Sequence, residues 1–147
     1  MARKGEATRE RIVAAAERLV LEKGFAGTTL DDVLGATGLT KGAFFHHFKG
    51  KDDLARAVVE RYAAADEALF LAWSAQADTA STDPLSRVLT FLRLFEDYLD
   101  WLDEPLQGCI FAAYTYERGG FAPAILDYVR ERLVAWRALY EVKLAAL

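Results

Sequence analysis

The chain has 147 residues, of which 53% are hydrophobic, 27% are charged and one is a cysteine. This length allows one domain or a small domain joined to a larger one, and the apolar fraction is sufficient for a buried core. No uninterrupted apolar run approaches membrane-spanning length, and no apolar segment follows the basic N-terminus as in a signal peptide. A single cysteine excludes an internal disulfide, and these features together predict a cytoplasmic protein.

The net charge of −4 is unevenly distributed along the chain. Residues 1–52 carry nine Lys or Arg against seven Asp or Glu, a balance of +2, whereas residues 53–147 carry nine against fifteen, a balance of −6. This distribution is expected of a nucleic-acid-binding domain attached to an acidic body. Because the local excess is small, we expect a clear but not steep dependence of DNA binding on salt.

Local signals predict three helices in the first fifty residues. Apolar residues at helical spacing indicate a first helix over about residues 9–23. Thr29 and Asp32, three positions apart, form the capping-box pattern that begins a second helix. Gly38 adopts positive φ at low cost and can end that helix, and Thr40 can cap the next one.

The third helix, predicted over Thr40 to Phe48, has two different faces. Phe44 and Phe48 are four residues apart and share the face that we expect to be buried. The residues that point elsewhere are Lys41, Gly42, Phe45 and His46. Two helices joined by a four-residue turn with a glycine fit the geometry of a helix-turn-helix.

The remainder of the chain is predicted to be helical throughout. Apolar spacing indicates helices over about residues 51–76, 84–103 and 106–117, and a last helix from about residue 123. We expect a loop over residues 77–82, a cap and first helical proline at Asp83-Pro84, and a break at Gly119-Gly120. No segment alternates over enough residues to indicate a strand, so the fold class is predicted to be all-α.

The ordered series of signals over residues 28–51, TTLDDVLGATGLTKGAFFHHFKGK, resembles the TetR family of one-component bacterial repressors. The resemblance extends from about Thr8 to Tyr62. It implies that residues 1–52 form a three-helix helix-turn-helix DNA-binding domain and that residues 53–147 form a helical effector-binding and dimerisation body. The protein would then be a ligand-responsive repressor that binds a palindromic double-stranded DNA operator as a homodimer and is released by a small-molecule effector.

The resemblance also implies roles for individual residues. Contacts with base edges would come from Thr40, Lys41, Gly42, Ala43 and His46, and contacts with phosphates from Thr28, Thr29, Phe45, His47 and Lys51. The walls of an effector pocket would come from Trp73, Phe95, Tyr98, Trp101, Phe111, Tyr114 and Tyr128. Two positions depart from the family pattern: the family usually has Tyr in place of Phe45, and a small Ala is common in place of Leu34.

The C-terminal helix has no capping glycine, and its apolar stripe runs to Leu147. TetR-type proteins usually continue for two further helices that commonly build the dimer interface, so we expect this chain to be shortened at its C-terminus. The alternative is that Trp136 and Tyr140 face a partner subunit directly.

Other chemical functions have little support in the sequence. His46 and His47 are adjacent on a helix and cannot easily chelate one ion, so no metal or cofactor is predicted. No catalytic triad or phosphate-binding loop is visible, so we expect no enzyme activity. Cys109 is either an exposed sensor of oxidants or a small buried residue. The alternative function is a helical protein-interaction module without sequence-specific DNA binding, in which the lysines near the motif form an ordinary solvated face.

Overall fold

A computed structural model describes residues 2–101, 108–117 and 121–147. Within these ranges the regular secondary structure is helical and contains no strand, so the prediction of an all-α fold is confirmed. The helices are α1 (Ala2–Gly27), α2 (Leu30–Thr37), α3 (Lys41–Phe45), α4 (Lys51–Ala80), α5 (Pro84–Trp101), α6 (Ile110–Tyr116) and α7 (Pro123–Leu144). In this part of the chain, no helix combines the length and the apolar character needed to cross a membrane.

Several helix boundaries differ from the predicted ones. The predicted loop at residues 77–82 was wrong over its first four residues, because α4 continues to Ala80. Ala77 is fully buried against Trp73 and Phe91, and this tertiary packing outweighs the polar composition of the segment. The predicted end of α5 at residue 103, the start of α6 at residue 106 and the break at Gly119-Gly120 lie outside the described residues.

The chain divides into two compact units. The first consists of Met1–Tyr62 and Gln107–Val129, and the second of Ala63–Leu106 and Arg130–Leu147. The first unit therefore contains α1 to α3, the beginning of α4, α6 and the beginning of α7. The functional division at residue 52 stays a prediction, because it concerns the roles of the segments and not their packing.

The core of the first unit is built by the apolar faces of α1, α2, α3 and α4. Residues that the helical spacing places on these faces are less than 5% exposed, among them Ile12, Val20, Val33, Phe44 and Val58. On the surface, the guanidinium of Arg61 lies 2.6 Å from carboxylate oxygens of both Glu10 and Glu17. This double ion pair joins α4 to α1 beside the core.

The core of the second unit is mainly aromatic. Trp73 and Phe91 are buried, and Phe70 packs against them with ring centroids 5.4 and 6.1 Å away. Trp136 of α7 lies 5.2 Å from the same Phe70 ring. Aromatic rings packed at these distances bury much apolar area and hold α4, α5 and α7 together.

Candidate nucleic-acid interface

A complete capping box begins α2. The Thr29 hydroxyl accepts a hydrogen bond from Asp32 N at 3.2 Å, while Asp32 Oδ2 accepts from Thr29 N at 2.8 Å and from Thr29 Oγ1 at 2.6 Å. Lys23 Nζ lies 2.8 Å from the same Asp32 oxygen. The hydrogen bonds from Lys23 and Thr29 hold the pKa of Asp32 well below its ordinary value of 3.8. The predicted start of the motif is therefore confirmed.

Asp32→Asn should reveal this cap through the pH dependence of stability. A carboxyl whose pKa is lowered by folding stabilises the protein above its unfolded pKa, 3.8, and loses that contribution as the pH falls towards the folded pKa. Asp32→Asn should therefore have a lower free energy of unfolding than the wild type at pH 6, and the difference should shrink below about pH 4. Urea unfolding at several pH values measures this difference in the free energy of unfolding.

Asp31→Asn is the matched control because Asp31 is the neighbouring exposed acid in the first turn of α2. The bonds of the cap involve Asp32 and not Asp31, so Asp31→Asn should retain the pH-dependent contribution of the Asp32 cap. Equal pH dependence for Asp32→Asn and the wild type would show that Asp32 does not stabilise the cap.

A tight turn connects α2 to α3. Gly38 has φ of 65° and donates its N–H to Leu34 O, and this left-handed conformation favours glycine. Thr40 caps α3 by accepting a hydrogen bond from Ala43 N at 3.2 Å. Both features were predicted from the sequence and are confirmed, and they fix the direction in which α3 leaves the turn.

The helix α3 is shorter than predicted, because it ends at Phe45 and not at Phe48. The N–H groups of His47 and Phe48 both donate to Phe44 O, at 2.9 and 3.0 Å. The chain thus closes into a turn that leads into α4. Phe48 nevertheless reaches the core beside Phe44, with ring centroids 5.5 Å apart and 1% of each residue exposed.

The outward side of α3 is accessible. Phe45 is 49% exposed, Ala43 and His47 are half-buried, and a Cβ added at Gly42 would meet no atom within 4 Å. The other exposed residues on this side are Thr40, Lys41, Gly42 and His46. All the residues to which base contacts were assigned therefore lie on or beside one accessible surface.

The candidate phosphate contacts differ in how available they are. Thr28 is 5% exposed and its hydroxyl already donates to Gly24 O at 2.7 Å, so its contact with a phosphate stays a prediction that the burial of this residue does not favour. The hydroxyl of Thr29 is engaged in the cap of α2. Lys51 is exposed and uses one ammonium hydrogen on Phe25 O at 2.9 Å. Since an ammonium has three donors, Lys51 can still contact a phosphate.

The helix α6 packs against α1 and α4, which local sequence patterns did not reveal. Tyr114 is fully buried and donates its hydroxyl to Ala55 O at 2.9 Å. Burial, with a smaller effect from Asp52, raises the pKa of Tyr114, so this hydroxyl remains a donor. Glu117, which follows α6, binds backbone N–H groups at the end of α1. These residues lie too far apart in the chain for any local signal to link them.

The predicted effector residues fall into two groups. Trp73, Phe95 and Tyr98 lie together in the second unit, with Trp73 ring centroids 5.9 Å from Phe95 and 5.4 Å from Tyr98. The residues that belong to the first unit are Phe111, Tyr114 and Tyr128. The side chain of Trp101 lies outside the described part.

A cavity of about 210 Å³ lies in the second unit. Its lining residues include Ser74, Val88 and Leu139, and the ion pair of Lys143 with Asp78 at 3.0 Å. The cavity therefore offers both apolar and charged groups next to the aromatic core.

His46, His47 and Cys109 are the histidines and the cysteine of the chain. The rings of His46 and His47 are nearly perpendicular, with centroids 6.1 Å apart. Among the described residues, no three His, Cys, Asp or Glu side chains form a group that could hold a metal ion. Cys109 is exposed just before α6, so the interpretation of this residue as a buried small side chain was wrong.

The fold and the accessible α3 define a helix-turn-helix protein, and comparisons with known proteins show its family. The family model described as bacterial regulatory proteins of the tetR family matches residues 12–58. A solved TetR transcriptional regulator from Chloroflexus aurantiacus is 31% identical, with a TM-score of 0.76, and the match covers 97% of this chain and 72% of that one. The chain belongs to the TetR family.

Two curated relatives from Escherichia coli illustrate the extent of the match. The Tn10 TetC protein is 31% identical over 97 residues, which are 66% of this chain and 45% of that protein. The transcriptional repressor NemR is 40% identical over 58 residues, which are 40% of this chain and 29% of that protein. The chain thus spans less than half the length of these two curated relatives. The expectation that it is not an enzyme agrees with these relatives.

Proposed function

We propose that this protein is a transcriptional regulator that binds duplex DNA through the outward side of α3. The observation that carries the proposal is the arrangement of α3 itself: Phe44 and Phe48 anchor it in the core, while Thr40, Lys41 and Gly42 are exposed at its beginning. A recognition helix held in this way contacts base edges in the major groove with its N-terminal residues.

The groups on this side of α3 and beside it match chemical groups of DNA. Lys41 donates to guanine O6 or N7, and the methyl group of Ala43 contacts a thymine methyl. Gly42 has no side chain, so the backbone approaches the bases closely. His46 contacts a further base edge, and Thr29, Phe45, His47 and Lys51 lie along the phosphates, which fix the register of the protein on the duplex.

Selection of bound fragments from genomic DNA tests this proposal directly. The expected result is enrichment of a short, partly palindromic sequence that the protein binds more tightly than random duplex at the same salt concentration. Retention of no DNA at moderate salt would favour the alternative, a helical protein-interaction module. Binding of all sequences with equal affinity would exclude a sequence-specific regulator.

We further propose that the protein acts as a homodimer. Two copies of α3 would then enter successive major grooves about 34–36 Å apart, which matches a palindromic operator. Measurement of molar mass in solution, with and without operator DNA, tests this arrangement. A complex of one protein chain per operator would exclude it.

The regulator is also proposed to respond to a small-molecule effector bound in the second unit. The support is the aromatic cluster of Trp73, Phe95 and Tyr98 together with the neighbouring cavity, because small-molecule sites combine apolar walls with a few polar groups. Effector binding would move α4, which contributes to both units, and lower the operator affinity. For this to occur, the effector must bind more tightly to the arrangement that does not bind DNA.

Titration of candidate compounds tests the effector proposal through the intrinsic fluorescence of the three tryptophans, Trp73, Trp101 and Trp136. A true effector should change the fluorescence and lower the operator affinity over the same concentration range. A compound that changes the fluorescence without changing operator affinity would not be an effector.

Gly42→Ala should weaken operator binding without harming the fold. A Cβ at this position meets no protein atom within 4 Å, and replacement of Gly by Ala in a helix adds up to about 1 kcal/mol of stability. On DNA, the added methyl group would keep the backbone away from the bases. We expect operator affinity to fall by about 3- to 10-fold in an anisotropy titration.

Gly35→Ala is the matched control, because a Cβ at Gly35 of α2 also meets nothing within 4 Å. It should gain similar stability and keep the operator affinity of the wild type. If Gly42→Ala also kept that affinity, the backbone at residue 42 would not approach DNA.

A further inference from the structure

The end of α1 contains two adjacent N–H groups that bind a carboxylate from a distant part of the chain. Gly24 interrupts the helical conformation with φ of 75° and ψ of 172°. After it, Phe25 N donates to Glu117 Oε1 at 3.3 Å and Ala26 N donates to Glu117 Oε2 at 2.6 Å. Consecutive N–H groups that converge in this way form a concave site for an anion. Here the anion is supplied by the protein itself.

Gly24 is required at this site for two separate reasons. Its positive φ is a conformation that other residues adopt at a cost. A Cβ at Gly24 would also lie 2.5 Å from Glu117 Oε1, so a side chain would displace the carboxylate. The backbone conformation and the position of Glu117 therefore depend on each other.

The same segment is attached to the beginning of α4. Phe25 O accepts a hydrogen bond from Lys51 Nζ at 2.9 Å, and Lys51 is the first residue of α4, six positions after α3 ends. On its other side the segment leads within two residues into Thr29, the cap of α2. Glu117 thus fixes a backbone segment that is bonded to the beginning of α4 and leads into the beginning of α2.

The ring of Phe25 strengthens this attachment. It is buried against two aromatic rings that flank Glu117 in sequence, with centroids 4.3 Å from Tyr114 and 4.8 Å from Phe121, and those two rings stack on each other 4.0 Å apart. The Glu117 carboxylate therefore binds beside an apolar contact, where its bond with Phe25 N is partly buried and its bond with Ala26 N is exposed. Hydrogen bonds to a charged group are stronger than those between neutral groups.

We propose that Glu117 is a positioning residue for DNA binding: its carboxylate fixes the link between α1 and α2, and thereby the placement of α3 in the major groove. This inference rests on the function proposed above. Base contacts require a fixed orientation of α3, whereas contacts with phosphates in random DNA tolerate variation. Loss of Glu117 should therefore reduce specific binding more than non-specific binding.

Glu117→Ala, Glu117→Gln and the control Glu131→Ala test the proposal. Glu131 is an exposed acid on α7, so its replacement removes the same charge from an unrelated surface. Three quantities are measured: amide hydrogen exchange of Phe25 and Ala26 by NMR, affinity for the selected operator, and affinity for random duplex at the same salt concentration. The melting temperature of each variant is recorded alongside.

In Glu117→Ala, exchange of the two amides should accelerate, and operator affinity should fall by about tenfold while affinity for random duplex stays within about twofold. Glu117→Gln retains one accepting oxygen and should lie between Glu117→Ala and the wild type. Glu131→Ala should behave as the wild type. These results would support a positioning role, because general destabilisation would lower both affinities in proportion.

Two results would overturn the proposal. One is wild-type operator affinity in Glu117→Ala, and the other is an equal loss of operator and random-duplex affinity that follows the melting temperature. A wild-type protein without any sequence preference would instead contradict the proposed function. Faster amide exchange in Glu117→Ala would in that case show that Glu117 fixes the end of α1 but positions no DNA-binding element. Failure of the Glu117 proposal is therefore distinguishable from failure of the proposed function.

Discussion

Replacing Lys41 by Ala is expected to lower the affinity for the selected operator by about 5- to 150-fold, which corresponds to about 1–3 kcal/mol. Lys41 is exposed in the first position of α3, directly after the cap Thr40. In a recognition helix this position reaches base edges. The loss is measured by anisotropy titration at one fixed salt concentration, because phosphate contacts make DNA affinity depend strongly on salt.

Arg137→Ala provides the control for the loss of one positive charge. Arg137 is 71% exposed on α7, in a surface ion pair with Glu141 at 3.1 Å, and such pairs contribute little to stability. This variant should bind the operator within about twofold of the wild type. Equal operator affinity of Lys41→Ala and Arg137→Ala would show that Lys41 does not contact the operator.

The same variant distinguishes two roles for Lys41. If Lys41 contacts a guanine, Lys41→Ala should relax specificity at one position of the operator and change the salt dependence little. If it contacts a phosphate, affinity should fall for all sequences, and the slope of log affinity against log salt should decrease by about 0.9. Titrations of the operator and of single-base variants at three salt concentrations separate these outcomes.

The parts of the site that the sequence predicted correctly depend on residues three to five positions apart. The bonds between Thr29 and Asp32, the positive φ of Gly38 and the cap at Thr40 are all local. Each can be inferred from residue type and spacing, because the atoms involved are brought together by one turn of helix. The order of these signals is also what made the resemblance to the TetR family recognisable.

The contacts that the sequence did not predict join distant residues. Glu117 binds Phe25 N from 92 positions away, and Tyr114 binds Ala55 O from 59 positions away. Neither residue type nor spacing indicates such pairs, because each depends on how α6 packs against other helices. The extension of α4 to Ala80 has the same origin, since burial of Ala77 against two aromatic rings decides it.

Residues of the same type that look equivalent in the sequence have different environments in the fold. Thr28 and Thr29 look alike in sequence, but Thr28 is buried and bonded to Gly24 O, whereas Thr29 is exposed. The aromatic residues after position 60 all suit a pocket by composition. The structure places Trp73 and Tyr98 in one unit and Tyr114 in the other. Only tertiary structure makes these distinctions.

Replacement by Ala should have very different effects on stability at the adjacent residues Phe44 and Phe45. Phe44 is 1% exposed and packs against Phe48, so Phe44→Ala should lower the free energy of unfolding by about 3–5 kcal/mol. Phe45 is 49% exposed, so Phe45→Ala should change it by no more than about 0.5 kcal/mol. Urea unfolding of both variants measures the difference.

The effects on DNA binding should differ in mechanism as well. The five residues of α3 are too few to remain helical without tertiary contacts, so Phe44→Ala should lose operator affinity because α3 is displaced or the protein unfolds. Phe44→Leu keeps most of the buried volume and should lose less than about 1.5 kcal/mol. Phe45→Ala remains folded, so any loss of affinity must come from its contact with DNA. Equal destabilisation by Phe44→Ala and Phe45→Ala would mean that α3 presents a different face to the core, and the surface assigned to DNA would then be the wrong one.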